Sequence, residues 1–150
     1  MTEVTQRTDF ECAYLMYMDV VDNDGVLRTN VPKLNAHHYK ISVTVESREQ
    51  KDVIIEFSKL TSIIKRHVPD GVFLYNENSD ERAAEAVIAT AFKTAGLDVQ
   101  GKPFVISAEN LVNDIAVRIQ KFLNKFNYPD VIVRKVVLQE TSNSSVTWTS

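Results

Sequence analysis

The residues best suited to metal or proton chemistry stand together between Asn35 and Tyr39, where His37 and His38 are adjacent. Imidazole is the commonest protein ligand for a transition metal, and its unperturbed pKa lies near neutrality. The pair opens a segment whose alternating apolar residues predict a β-strand, and adjacent strand residues point to opposite faces. The two rings are therefore poorly placed to bind one ion together. We favour an interpretation in which one histidine packs inside and the other faces solvent.

Two other residues could take part in proton transfer. Asp70 is followed by Gly71 at the end of a predicted helix, and this setting favours a turn residue over a catalyst. His67 lies on the predicted apolar face of the same helix, where a packing histidine is expected. The only cysteine, Cys12, lies among apolar residues and is predicted to be a buried thiol that forms no internal disulfide.

Length and composition describe an ordinary globular chain. Of its 150 residues, 44% are hydrophobic and 25% are charged, which suits a single domain with a sizeable core. The formal net charge of −3 provides no basic field for nucleic acid or for an anionic membrane. The first residues lack the apolar core of a signal peptide, and no apolar run reaches membrane-spanning length. We therefore expect a cytoplasmic protein with no nucleic-acid or membrane partner.

The elements that must position these residues follow from hydrophobic periodicity and turn chemistry. Strands are predicted at residues 8–21, 39–45, 131–138 and 146–148, with a further apolar stretch at 53–55 and a short strand or extended piece at 72–75. Helices are predicted at residues 57–67, 79–95 and 107–126, with Ser58, Ser79 and Ser107 as candidate N-caps. Residues 26–36 are predicted to be a loop, and residues 97–106 a loop or short strand.

Strands grouped at both ends of the chain around central helices indicate the α+β class with an antiparallel sheet. We predict a four-stranded sheet with helices packed on one face. The edges of such a sheet would expose unpaired backbone groups, and pairing those edges between subunits is one remedy. An oligomer is therefore expected.

Six short motifs, none specific by itself, occur in a fixed order along most of the chain. They are Phe10–Tyr14 for F-x-x-A-H, Asn35–Tyr39 for H-G-H-N-Y, Val53–Leu60 for hydrophobic-D-F-x-x-L, Pro69–Leu74 for L-D-H-x-x-L, Ser107–Leu111 for T-x-E-N-L and Val137–Thr141 for V-x-V-x-E-T. Together they resemble the 6-pyruvoyl-tetrahydropterin synthase family, which includes the bacterial 6-carboxytetrahydropterin synthase of queuosine biosynthesis.

The resemblance implies a tunnelling fold (T-fold), in which an antiparallel sheet with outer helices closes into a barrel when subunits form a trimer, often within a hexamer. It implies one domain over residues 1–150. The chain departs from the family by an extra helical insertion at about residues 78–104, which could cover the pocket mouth or form a contact surface. The family also binds a zinc ion through three histidines and a pterin between subunits.

The implied zinc site is altered at two of its three ligand positions. Tyr14 stands in place of the histidine of the opening strand, and Asn35 in place of the first histidine of the pair, so that only His37 remains. Neutral tyrosine and asparagine are weak zinc ligands compared with imidazole. We therefore expect no bound catalytic zinc, and His37 is a weak candidate ligand.

The proton-transfer groups that the resemblance implies are also depleted. The family's base is a cysteine shortly before the histidine pair, but no cysteine lies between Asn23 and His37. The family's Asp-His pair corresponds to Asp70 and Gly71, so that Asp70 lacks its histidine. Neither a thiolate nor an imidazole is left at these positions to exchange protons near neutral pH. Asp70 alone is a weak candidate catalyst.

We expect a ring-binding pocket to be the part of the family site that the chain retains. The family's late glutamate accepts hydrogen bonds from the ring N–H and the exocyclic amine of a pterin, and Glu140 occupies its place. A carboxylate suits this edge because both of its oxygens accept. The alternative is a solvated residue at a strand end. Ser107 replaces a nearby threonine, and its main predicted role is the N-cap of the last helix.

These observations favour one function and leave two alternatives. We expect a family member that has lost zinc-dependent lyase activity and that binds a pterin-like or guanine-like (purine-like) ring or serves as an oligomeric scaffold. The first alternative is an active pterin or queuosine pathway synthase with an altered site, which would require zinc. The second is a purely structural assembly protein.

Overall fold

The computed structural model describes residues 2–150 and contains three helices and six strands. In chain order the elements are β1 (Glu3–Val21), β2 (Leu27–Ser47), α1 (Phe57–His67), β3 (Val72–Asn76), α2 (Ala84–Thr94), β4 (Val99–Lys102), α3 (Ala108–Lys125), β5 (Val131–Thr141) and β6 (Ser144–Thr149). The predicted α+β class is confirmed.

The sheet has six strands in the order β4-β3-β1-β2-β5-β6, so the predicted four-stranded count is wrong. The sheet is also mixed, because β3 runs parallel to β1 and β4 runs parallel to β3, while β5 is antiparallel to β2 and β6. The additional strands are short and lie in the stretch that precedes α3. Their few residues carry too little periodicity to fix a pairing partner or a direction.

The predicted loop at residues 26–36 is also wrong, because β2 begins at Leu27 and continues through this stretch. Most of these residues are solvent-exposed, so both faces carry polar side chains and the alternation that identifies a strand is absent. A five-residue connection joins β1 to β2, and Asp22 closes it by accepting the backbone N–H groups of Asp24 and Val26. Such a short connection requires the two strands to run antiparallel.

One compact unit contains residues 2–10, 38–70 and 107–150. Here α3 packs against β5 and β6, and α1 packs against α3. The helix-facing side of β2 carries buried Tyr39, Ile41 and Val43, while His38 and Lys40 on the other side are exposed. The apolar stripes of the helices complete the core through residues that recur every three or four positions. They are Leu60, Ile63, Ile64, Leu111, Ile115, Ile119 and Leu123.

The second compact unit contains residues 11–37 and 71–106. Its core cluster is formed by Leu15, Phe73 and Ala89, and the Phe73 and Phe92 rings meet edge to face with centroids 5.1 Å apart. The helix α2 packs against β3 and β4. Both α2 and β4 fall within residues 78–104, which the sequence comparison with the family marks as an insertion; that assignment and the single-domain prediction stay predictions.

Two of the predicted N-cap residues, Ser58 and Ser79, do not cap a helix. Ser58 lies inside α1, which follows Glu56 without a side-chain cap. Ser79 lies in a turn, where its hydroxyl donates to the Asn76 carbonyl at 2.6 Å, and α2 begins five residues later. Asp80 accepts the Arg82 N–H in the same stretch. Side chains that bond nearby backbone compete with helix, and this explains the late start.

No helix within residues 2–150 is long and apolar enough to cross a membrane.

Candidate functional site

His37 and Tyr14 lie against each other in the second unit. Their ring centroids are 5.2 Å apart with an interplanar angle of 34°. Tyr14 is 4% exposed, and the Nε2 atom of His37 is buried. Two positions that the resemblance assigns to zinc ligands are therefore in direct contact, as a shared site requires. The third residue, Asn35, uses its side-chain amide to donate to the Lys33 carbonyl at 3.3 Å.

The donor set at these positions does not suit zinc. A catalytic zinc site uses three protein ligands, most often imidazoles or carboxylates. Here one imidazole stands beside a phenol and an amide, which are neutral oxygen donors of low affinity. In the described part of the chain, no three or more His, Cys, Asp and Glu residues form a group that could hold a metal ion.

His38 points away from His37, as strand alternation predicts. Its Nε2 atom lies 3.0 Å from Oδ2 of Asp9, and both side chains are at least half exposed. The interpretation that one histidine packs inside and the other faces solvent is confirmed. The sequence did not identify Asp9 as the cross-strand partner.

Asp70 lies in the turn between α1 and β3. Its backbone N–H donates to the Val68 carbonyl at 3.0 Å, and the side chain is exposed. Gly71 adopts a φ of 71°, a conformation that favours glycine over a histidine. His67 is a packing residue, because its Nδ1 bonds the Ile63 carbonyl at 2.7 Å and its ring meets Phe122 edge to face. That prediction is confirmed.

Ser107 is the N-cap of α3, as predicted. Its hydroxyl accepts the Asn110 backbone N–H at 3.1 Å, and its backbone is extended, with φ −150° and ψ 159°. The cap satisfies a donor that the first turn of a helix leaves without an intrahelical partner. It also fixes the position of Glu109 in the first turn.

Replacing Ser107 by alanine is expected to lower the free energy of unfolding by about 1 kcal/mol, because one backbone N–H loses its acceptor. For a chain of this length the melting temperature falls by roughly 2–4 °C. Differential scanning calorimetry measures both. Ser58→Ala is the matched control, because Ser58 lies inside a helix and caps nothing; an equal loss in the two variants would contradict the capping role.

Glu140 lies at an irregularity of the sheet. The register of β5 and β6 shifts between Gln139, which is opposite Ser145, and Thr141, which is opposite Ser144. Glu140 is thus the extra residue of a bulge, a feature that re-aims a side chain and is frequent beside binding sites. The hydroxyl of Thr141 accepts the Asn143 N–H at 3.2 Å and stabilises the turn that follows.

Glu140 and Glu109 line the same cavity, which has a volume of about 350 Å³. The buried ring of Tyr39 forms part of the wall, and its ring stacks on Phe10. Hydroxyl and amide groups complete the lining. They belong to Asn143, Ser144 and Ser145. No lysine, arginine or histidine is among the described residues that line this cavity. The oxygens of the two carboxylates can accept hydrogen bonds from a ligand that presents several N–H donors.

Glu109 is the site residue that the sequence reasoning missed. From the sequence alone, Glu109 is an acid in the first turn of a helix, where it complements the helix dipole. The sequence feature that could have identified Glu109 as a site residue is its place in Ser107–Leu111, where it matches the glutamate of T-x-E-N-L. The structure brings Glu109 together with Glu140, while Ser107 does not line the cavity.

Glu140 also borders a second cavity, of about 300 Å³, together with His38, Lys40 and Gln139. This cavity carries the cations that the first one lacks. Lys40 and Gln139 are directly opposite each other on β2 and β5. Glu140 therefore lines two cavities, one that also contains the Glu109 carboxylate and one that also contains the Lys40 ammonium.

Comparison with known proteins gives a consistent picture. The family model described as 6-pyruvoyl tetrahydropterin synthase matches residues 3–150. The chain is 27% identical over 128 residues to the 6-carboxy-5,6,7,8-tetrahydropterin synthase of Haemophilus influenzae, covering 80% of this chain and 83% of that protein.

The solved structures show the same fold at low identity. An uncharacterized protein from Wolinella succinogenes aligns with a TM-score of 0.69 and 15% identity, over 99% of this chain and 98% of that one. The Caenorhabditis elegans 6-pyruvoyl tetrahydropterin synthase aligns with a TM-score of 0.59 and 14% identity, over 99% and 95%. A catalytic-residue mutant of the Plasmodium vivax synthase, with cysteine in place of glutamate, aligns with a TM-score of 0.57 and 17% identity, over 99% and 97%.

Proposed function

The chain belongs to the 6-pyruvoyl tetrahydropterin synthase family, and from this premise we propose that it binds a pterin-like or guanine-like ring without zinc-dependent lyase activity. The observation that carries the binding role is the cavity that Glu140 and Glu109 both line. A 2-amino-4-oxopyrimidine edge offers ring and exocyclic N–H donors in one plane, and the two oxygens of a carboxylate accept them side by side.

The chemistry of the chain supports the loss of lyase activity. Of the three positions that the family resemblance assigns to zinc, only His37 carries an imidazole. The Plasmodium vivax relative has a glutamate as a catalytic residue, and the resemblance suggests a cysteine base before the histidine pair. Residues 24–36 of this chain contain neither cysteine nor glutamate. Asp70 is followed by Gly71 and not by a histidine. It lies in the turn between α1 and β3, and a turn position is typical of aspartate.

The test is a pair of measurements on the purified chain. Isothermal titration with dihydroneopterin, a neutral pterin, is expected to show one site per subunit. Incubation with dihydroneopterin triphosphate is expected to show no turnover. Turnover that disappears in His37→Ala would instead establish the alternative of an active pterin or queuosine pathway synthase, and absence of any pterin or guanine binding would favour the purely structural assembly protein.

We also propose that the chain forms a homo-oligomer, a trimer or a hexamer, in the cytoplasm. The sheet is open, with β4 and β6 at its edges. The β6 edge carries no charged residue and no proline, which are the usual protections against pairing with another chain. In contrast β4 has four residues, includes Gly101 and Lys102, and is followed by Pro103, so it is a poor partner for another strand. Native mass spectrometry is expected to give three or six subunits; a monomer at micromolar concentration would contradict the assembly.

A further inference from the structure

The helix α2 packs on the second unit through one side. This side carries Ala84, Ile88, Ala89 and Phe92, which belong to the core cluster of that unit or contact it. The carboxylate of Glu85 is buried as well, and it accepts the Asn76 backbone N–H at 3.1 Å. One of the two charged residues of α2 is therefore used inside the unit, which leaves the outer side of the helix with little charge.

The solvent side of α2 is unusually apolar for an exposed helix face. Within Ala84–Thr94 only one of the five exposed residues is charged; the five are Val87, Thr90, Ala91, Lys93 and Thr94. The helix α3, in contrast, exposes four charged residues, which are Glu109, Arg118, Lys121 and Lys125. A helix that is apolar on all sides is normally buried, so we expect a further element to cover this face of α2.

The two exposed threonines of α2 do not require a polar partner. The hydroxyl of Thr90 donates to the Ala86 carbonyl at 3.0 Å, and the hydroxyl of Thr94 donates to the Thr90 carbonyl at 2.9 Å. Such threonines bond back to their own helix. An apolar surface can therefore cover this face without leaving their hydroxyl protons unpaired, which would otherwise be costly.

The apolar residues of this face are arranged symmetrically about Val87, which is 55% exposed. Ala83, at the N-cap, lies one helical turn before it, and Ala91 lies one turn after it. In an antiparallel crossing centred on Val87, the two copies of Val87 would meet, and each Ala83 would face the other copy's Ala91. Small residues on both sides of the centre permit the close approach of packed helices, whose axes lie about 8–10 Å apart.

The charged residues follow the same symmetry. Glu81 lies six positions before Val87, and Lys93 lies six positions after it; both are exposed. The antiparallel crossing therefore brings Glu81 of each copy to the level of the other copy's Lys93. Asp80 and Arg82 flank Glu81, so residues 80–82 together retain a net negative charge. Because the face matches itself in both shape and charge, it favours a second copy of the chain as its partner.

We propose that α2 pairs with α2 of a second copy of the chain, in an antiparallel crossing centred on Val87. The contact is isologous, because the same face contributes from both copies. Of the two roles expected for residues 78–104, cover of the pocket mouth or contact surface, this is the second. The pairing uses a helix face and neither edge of the sheet, so it is additional to the proposed homo-oligomer. It would join two trimers into a hexamer, or two single chains into a dimer.

Val87→Glu tests the pairing because it places two carboxylates at the centre of the contact, where like charges repel and lose their water. Sedimentation velocity is expected to give the parent chain twice the mass of the variant, and the dissociation constant of the doubling step is expected to rise at least tenfold. The substitution changes an exposed residue, so the fold is expected to remain, as circular dichroism will verify. Val117→Glu, at an exposed valine of α3, is the matched control and is expected to keep the parent mass.

Reversal of the two end charges tests the antiparallel register. Glu81→Lys and Lys93→Glu each replace two attractive pairs by two repulsive ones, and each is expected to weaken the doubling step about three- to tenfold at low salt. The double variant restores opposite charges at both ends and is expected to recover the parent affinity. Two weakened single variants with no recovery in the double variant would show that these residues do not face each other, and would overturn the proposed register.

Val87→Cys provides a direct readout of the symmetric contact. A disulfide requires the two Cα atoms to lie within about 7 Å, so mild oxidation is expected to link two copies of this variant. Val117→Cys is the control and is expected to stay unlinked, and the natural Cys12 is buried. Three subunits in the parent and in Val87→Glu, with no link through Val87→Cys, would overturn the inference and leave the proposed trimer standing. A parent dimer that becomes a monomer in Val87→Glu would support the inference and contradict the proposed trimer or hexamer.

Discussion

Replacing Tyr14 and Asn35 together by histidine is expected to create a three-histidine zinc site. Tyr14 already contacts His37 across the strands, with ring centroids 5.2 Å apart, and Asn35 lies two residues before His37 on the same face of β2. Three imidazoles on this surface would supply the ligand set of a catalytic zinc site, with a fourth position open to water. We expect the zinc content to rise from well below one to about one ion per subunit.

Cobalt substitution provides the second readout of this double variant, because tetrahedral cobalt has an intense visible spectrum. Binding is also expected to raise the melting temperature, since a ligand that binds only the folded state stabilises it. Each single variant supplies two imidazoles and is expected to bind weakly. Adding His37→Ala to the pair should remove the ion. If the double variant folds and binds no zinc, the three positions do not converge, and the residue-by-residue match to the family would be wrong at this site.

Glu140→Gln is expected to weaken binding of a neutral pterin by roughly 10- to 150-fold, the range given by about 1.5–3 kcal/mol for hydrogen bonds to a charged acceptor. The amide retains one acceptor oxygen and places an NH₂ donor where the ligand also presents donors. The loss of affinity should be accompanied by loss of the ligand-induced rise in melting temperature. Titration calorimetry and thermal denaturation measure the two effects.

Glu49→Gln is the matched control for this experiment, because Glu49 is an exposed carboxylate of the same unit and lies outside the cavity. It changes the net charge by the same amount as Glu140→Gln, so any general electrostatic effect appears in both variants. Equal affinities in wild type and Glu140→Gln would show that the ring edge is recognised elsewhere.

The sequence predicted those parts of the fold in which periodicity is strong. The alternation from Tyr39 to Val45 correctly identified the core face of β2, and the apolar repeat after Ser107 correctly identified α3 and its cap. Prediction failed where a strand is exposed on both faces, as at residues 27–36, because such a strand has no apolar period. The positions of β3 and β4 agree with the short stretches predicted at residues 72–75 and 97–106, but their parallel pairing was not predicted, because it depends on contacts distant in sequence.

In the candidate site too, local sequence patterns predicted some features, whereas features that depend on contacts distant in sequence were missed. Family motifs indicated Glu140 and Ser107, and turn chemistry correctly placed Asp70 outside a helix. The bulge that re-aims Glu140 could not be predicted, because it depends on the register of β6 against β5. Glu109 and Glu140 line one cavity because of how α3 lies against the β5–β6 pair, which no local pattern specifies.

The central claim is that this member of the family has a ring pocket but no catalytic zinc. Elemental analysis of the protein, purified without added metal or chelator and expressed as zinc per subunit, tests that claim most directly. We predict a value far below one, unchanged in His37→Ala. One zinc per subunit in the parent chain, lost on substitution of His37, would contradict it.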